Sequence, residues 1–175
     1  MIKIVAIVVV VLIAAVLIFA ATKPDTFTVI RSTNIKAPPE KIFAKINDFN
    51  GWVAWSPWEK KDPGMKRTFG ATTNGNGATY AWDGNQEVGQ GSMEITESVP
   101  SSKVALKLDF LKPFEAHNQV DFTLEPKGDS TSVTWRMQGP LPYMMKVVHV
   151  FMNMDKMVGK DFEAGLANLK ASSEK

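Results

Sequence analysis

The chain has 175 residues, 45% of them hydrophobic, with 20 Lys and Arg against 18 Asp and Glu and no cysteine. A formal net charge of +2 with no clustered basic stretch lacks the phosphate-neutralising footprint that nucleic-acid binding requires, so nucleic acid is not an expected partner. The missing cysteines exclude disulfides, thiolate nucleophiles and cysteine zinc sites.

The hydrophobic residues are unevenly spread, and the mean hydropathy of −0.08 averages two different segments. Ile4 to Ala21 are 18 consecutive apolar residues. As a helix they rise about 27 Å at ~1.5 Å per residue, close to a hydrocarbon core of ~30 Å, with Lys3 and Thr22 at the interfaces. Residues 1–22 therefore read as a single-pass membrane anchor. The competing reading is a cleaved secretory signal, whose apolar stretch is usually ~7–15 residues. Cleavage after Ala20 or Ala21 would place Ile18 or Phe19 where a small residue is wanted. For orientation, Lys23, Arg31, Lys36 and Lys41 outweigh Lys3, which by the positive-inside rule keeps the rest of the chain cytoplasmic. A three-residue tail leading straight into an apolar run is instead how an export signal-anchor begins. The expectation adopted is a domain on the periplasmic or extracellular side.

After a spacer at 23–26, residues 27–175 are of single-domain size. Phe27 to Ile35 is β-branched and reads as a strand. Ala37-Pro38-Pro39-Glu40 stops it, and Ile42, Phe43 and Ile46 follow at helical spacing, giving a short helix over Pro39 to Asn47. Trp52, Trp55 and Trp58 recur every three residues in a second short helix or irregular turn that Ser56-Pro57 interrupts. Five or six short strands then alternate apolar and polar residues, each with one dry face. They begin near Met65 to Gly70 and Ala78 to Trp82, and Asp83-Gly84-Asn85 is the expected hairpin turn, since Gly and Asn accept positive φ. Gly89 to Val99 follows, then the alternating runs around Leu106, Phe122 and Trp135. Val147, Phe151, Met154, Val158, Phe162, Leu166 and Leu169 form the stripe of an amphipathic helix, expected as one unit of about 28 residues from just past Pro142.

The Ala37-Pro38-Pro39-Glu40-Lys41-Ile42-Phe43 helix start, Trp55-Ser56-Pro57-Trp58-Glu59 with Asp62-Pro63, Tyr80 to Asn85, Leu108 to Phe114 and the closing Gly159 to Leu169 segment stand in an order that resembles the START-like (SRPBCC) superfamily. This is the polyketide cyclase/dehydrase and lipid transport group, and the likeness is to its membrane-anchored bacterial members. The resemblance implies an α+β helix-grip fold, a curved antiparallel sheet of about seven strands wrapped around a long C-terminal helix. It also implies a cavity between the two that takes a hydrophobic or lipid-like small molecule. It does not imply one chemistry.

Within that frame the candidate lining residues are Trp82, Phe110, Phe122, Trp135, Met137, Met144, Phe151, Met154 and Val158. Six of the nine methionines fall between 137 and 157, and methionine suits surfaces that accept several apolar shapes as well as it suits plain core. No catalytic constellation is apparent. His117 falls on a polar strand phase, His149 sits one step off the helix stripe and reads as a helix-surface histidine rather than a cavity-facing one, and Asp155 and Asp161 read as a solvated helix edge. No metal-ligand spacing occurs, and neither metal nor cofactor is expected. The principal reading is a membrane-anchored binding module. The alternatives are an enzyme on an apolar cyclic substrate, with His149 or Tyr143 handling a proton, and a protein-interaction module like relatives of the heat-shock-protein ATPase activators.

Overall fold

A computed structural model describes residues 1–175. The apolar run forms helix α1 (Ile2–Ala21), with mean hydropathy 3.5 over an 18-residue window and long and apolar enough to cross a membrane. Its residues are nearly all exposed; only Ala20 is buried, against the rest of the fold. Thr22 closes the helix, its hydroxyl donating to the Phe19 carbonyl (2.7 Å), which satisfies one of the carbonyls every helix end leaves free.

Strand β1 (Thr26–Ile35) leads into α2 (Pro39–Ile46), where Pro39 occupies the first turn as expected. The tryptophan-rich stretch divides at Pro57, into a 3-10 helix (Phe49–Ala54) and the short α3 (Pro57–Lys61). The three-residue tryptophan spacing has a local purpose. The indole N–H of Trp52 donates to the Ile46 carbonyl (2.9 Å) and that of Trp55 to the Lys45 carbonyl (3.2 Å), so the free C-terminal carbonyls of α2 are met by buried rings.

Six further strands follow: β2 (Lys66–Phe69), β3 (Thr79–Asp83), β4 (Gln90–Val99), β5 (Lys103–Lys112), β6 (Ala116–Lys127) and β7 (Ser130–Pro140). With β1 they make one seven-stranded antiparallel sheet, ordered β1-β7-β6-β5-β4-β3-β2. Register shifts at Gln90/Gly91 and Ile95/Glu97 in β4 bend the strand and raise its twist. The β3–β4 connection is longer than the tight hairpin expected at Asp83-Gly84-Asn85. The positive φ it needs falls at Gly89 (+65°), and Gly84 donates to the Gly89 carbonyl (3.0 Å). Asn85 serves instead through its side chain, whose oxygen accepts from the Glu87 N–H (2.9 Å).

The C-terminal helix is two helices, α4 (Tyr143–Phe151) and α5 (Met154–Ser173), where one was expected. Met152 is extended (φ −118°, ψ 125°), and the Asn153 side chain accepts from the Lys156 N–H (2.9 Å), capping α5. Asparagine favours this capping geometry over the helix interior because its side chain replaces the backbone partner. The apolar stripe continues across the break, so periodicity alone could not reveal it.

Helix α5 lies on the sheet at close range because two glycines permit it. A Cβ on Gly165 would meet Trp135 Cζ3 at 2.8 Å, and one on Gly159 would overlap the Arg31 guanidinium. Arg31 reaches from β1 to bond Glu163 (2.7 Å) and Asp155 (2.9 Å), and Lys61 pairs with Asp161 (2.7 Å). The acidic edge of α5 therefore clamps the helix to β1 and α3; it is not a merely solvated face.

Candidate functional site: a cavity between sheet and helices

The strand alternation directs Tyr80 and Trp82 of β3, Leu106, Leu108 and Phe110 of β5, Val120 of β6, and Trp135 and Met137 of β7 to the concave side. Met145 and His149 of α4, with Met154, Val158 and Phe162 of α5, face them across a cavity of about 460 Å³. Of the 32 lining residues 21 are hydrophobic, so the wall offers an apolar molecule contact and offers little to an ion. The β5–β6 end forms a rim where Phe114, Glu115 and His117 are exposed. At the far end the wall closes on aromatic rings. Trp135 stacks on Phe162 (centroids 4.1 Å apart, planes at 8°), and Trp58 meets both edge-on at 5.7 and 6.3 Å.

Six of the nine candidate lining residues come together here: Trp82, Phe110, Trp135, Met137, Met154 and Val158. Three do not. Phe122 has the right strand phase but is fully buried beneath Trp52, Trp55 and Trp135, at 6.1, 5.9 and 4.8 Å between centroids. The indoles of the 3-10 segment fill the space above it. Met144 and Phe151 are 73% and 74% exposed on the outer side of α4, because the break at Met152-Asn153 resets the helical phase used to place them. The methionine cluster divides the same way, with Met137, Met145 and Met154 on the cavity and Met144, Met152 and Met157 exposed.

The polar groups are few. Glu59 is buried, and its carboxylate accepts from Tyr80 Oη (3.0 Å) and from Arg67 Nε (2.8 Å) and Nη2. Burial and the adjacent Glu59 charge push the Tyr80 phenol up, and the Glu59 hydrogen bond holds the Arg67 guanidinium charged. Composition gave no sign of this triad, although Ala78, Tyr80 and Trp82 alternate in a way that places Tyr80 on the inner face. Continuing the β6 alternation back from Val120 would likewise have placed Asn118 inward, where it is buried and lines the cavity.

His149 is not the surface histidine expected: packed on the inner side of α4, it lines the cavity, its Nε2 has no protein partner, and desolvation lowers its pKa. His117 is exposed as expected. Its Nδ1 lies 2.7 Å from Asp109 Oδ1, and that bond raises the imidazole pKa. Burial pushes the Asp109 carboxyl up, but the bonds from His117 and Lys107 outweigh it and hold it below the usual range. Tyr143, the other proton-handling candidate, lies outside the cavity, its hydroxyl bonded to the Leu17 carbonyl (2.9 Å).

This combination of helix-gripped sheet and apolar cavity has a counterpart among known families. The family model described as polyketide cyclase / dehydrase and lipid transport matches residues 26–174. The chain belongs to this family. No curated protein sequence matches it. Among solved structures, protein CV1439 from Chromobacterium violaceum superposes with a TM-score of 0.60 at 15% identity, over 87% of this chain and 99% of its own. Ginseng major latex-like protein 151 from Panax ginseng gives 0.61 at 12%, over 87% and 100%. The Aha1 dimer from Colwellia psychrerythraea gives 0.56 at 20%, over 85% and 96%. At such identities the likeness establishes the fold, and the polyketide cyclase / dehydrase and lipid transport family as a whole is associated with hydrophobic or lipid-like ligands.

Proposed function

We propose that this protein is a membrane-anchored binding module that holds a hydrophobic or lipid-like small molecule between the sheet and helices α4 and α5, with the domain on the periplasmic or extracellular side. The cavity carries the reading. Its volume of about 460 Å³ falls in the range of small-molecule sites, ~300–1,000 Å³, and its walls are chiefly apolar. The exposed apolar surface of α1 supports the anchor, and a tether would hold the domain at high local concentration where such ligands reside. Native mass spectrometry of the full chain released from its own membrane should find a bound apolar mass. Val158→Trp, which projects an indole into the cavity, should weaken both that binding and displacement of a fluorescent lipid. A protein with no co-purifying mass and no lipid displacement would refute the binding role. Carbonate extraction tests the anchor, and protease access in spheroplasts tests the side.

One observation favours an enzymatic second reading: His149 lines the cavity, with its imidazole held toward the neutral form a general base requires. Turnover of an apolar cyclic substrate that survived His149→Ala would remove His149 from that role, and finding no turnover of any such substrate would remove the enzymatic reading.

A further inference from the structure

Helix α4 is fastened to the end of α1 and to the spacer. The Tyr143 hydroxyl donates to the Leu17 carbonyl (2.9 Å), the Leu141 N–H donates to the Asp25 carbonyl (2.7 Å), and the buried Lys146 ammonium pairs with the Asp25 carboxylate. Leu17 precedes the last residue of α1 by four positions, so this attachment lies about 6 Å inside the helix end at ~1.5 Å per residue. A helix fixed at that depth cannot stand clear of a surface that α1 crosses. Amphipathic helices lying in a membrane interface sink their apolar face by a similar amount, ~5–10 Å.

The side chains of α4 fit the placement. Met144, Val148 and Phe151, spaced by four and three residues, are 73%, 40% and 74% exposed on one face, and the helix contains no acidic residue. On the other face Met145 and His149 line the cavity. The sheet topology brings the rim to the same end. Thr26, where β1 begins, pairs with Pro140, where β7 ends, and Gln119 near the start of β6 pairs with Gln138. The β5–β6 tip, with Leu111 56% and Phe114 69% exposed, therefore lies at the end of the sheet where α1 joins and α4 begins. Lys23, its ammonium 4.6 Å over the Phe19 ring, adds the amphipathic pairing usual at a bilayer boundary.

We propose that α4 lies in the lipid surface as an interfacial helix, with Met144, Val148 and Phe151 in the bilayer, so that the cavity rim opens onto lipid and α4 is the wall between bound molecule and membrane. This rests on the reading of α1 as a membrane anchor. The extended Met152 and the independent Asn153 cap let α4 take this position apart from the direction of α5, and a ligand at the rim then passes between bilayer and cavity without crossing water.

The absence of cysteine makes the test direct. Full-length single-cysteine variants Met144→Cys, Val148→Cys and Phe151→Cys, all at exposed positions, are labelled with bimane and reconstituted in phosphatidylcholine/phosphatidylglycerol vesicles. Val9→Cys in α1 and Asp129→Cys in the distant β6–β7 turn are the references. The three α4 labels should lose most of their emission to nitroxide-labelled lipid and resist aqueous iodide, whereas Asp129→Cys shows the reverse. If the α4 labels follow Asp129→Cys while Val9→Cys stays in lipid, the proposal is overturned and the anchor stands. Iodide access at Val9→Cys overturns the anchor, and the proposal with it. Shielding from both quenchers together with a doubled mass would show a second copy covering this face, which also overturns it.

Discussion

Gly165 of α5 offers a quantitative test of how closely helix and sheet are packed. In Gly165→Ala the new Cβ would stand 2.8 Å from Trp135 Cζ3 and 3.1 Å from Pro57 Cδ, where carbon atoms prefer ~3.5–4.0 Å. One of the neighbours must retreat by several tenths of an ångström. Trp135 is held on three sides, stacked on Phe162 at 4.1 Å and met edge-on by Trp55 at 5.6 Å and Trp58 at 5.7 Å, so a retreat would break these ring contacts. Overpacking of a filled core costs roughly 1–3 kcal/mol, and the rigid neighbours put this site near 3. Replacing glycine by alanine within a helix returns about 1 kcal/mol. The net loss is about 2 kcal/mol, or a Tm lower by about 4–8 °C for a domain of this size. Thermal unfolding of the full chain in detergent, followed by near-UV circular dichroism, measures it. A double-mutant cycle isolates the cause, because the clashing atom belongs to the indole's six-membered ring: in the Trp135→Phe background, Gly165→Ala should lose most of its penalty. A Tm that rises on Gly165→Ala, or a penalty undiminished in that background, would refute the packing argument.

Three further outcomes are expected. NMR titration should place the His117 pKa above the ordinary ~6.5 and return it toward that value in Asp109→Asn. Because the folded value is the raised one, the pair's contribution to stability is complete below about pH 6.5 and fades as pH rises through the folded pKa. Arg67→Met leaves the buried Glu59 carboxylate without its counter-ion and should cost about 3 kcal/mol in urea unfolding, whereas Tyr80→Phe removes one hydrogen bond and should cost about 1. Asn153→Ala removes the α5 cap, should cost about 1 kcal/mol, and should speed hydrogen exchange at the Lys156 amide.

Elements governed by local rules were legible in the sequence. The alternation in β5, β6 and β7 placed Phe110, Trp135 and Met137 on the cavity wall, and Pro39 marked the start of α2, because strand phase and proline chemistry are set within a few residues. What depended on three-dimensional filling was not legible. Phe122 and Trp135 share a strand face, yet only the indoles arriving from the 3-10 segment decide that one ring is sealed and the other lines the cavity. The Glu59–Arg67–Tyr80 triad joins side chains from three elements, and no spacing rule links them. The α4–α5 break lay beneath an unbroken apolar stripe, where a single asparagine outweighed the periodicity. That break also determined which methionines face the cavity.

The placement of β1 at the sheet edge, paired with β7 alone, governs the order in which the domain can assemble. Its partner residues emerge roughly a hundred positions later, so at ~5–20 residues per second the strand waits about 5–20 s on the ribosome with both edges open. An open strand edge is a template for pairing with another chain. β1 carries one charge, Arg31, in its middle, and a charge on an open edge disfavours pairing with another chain. Arg31, which later clamps α5 through Asp155 and Glu163, is thus also the charge that makes the waiting strand a poorer template.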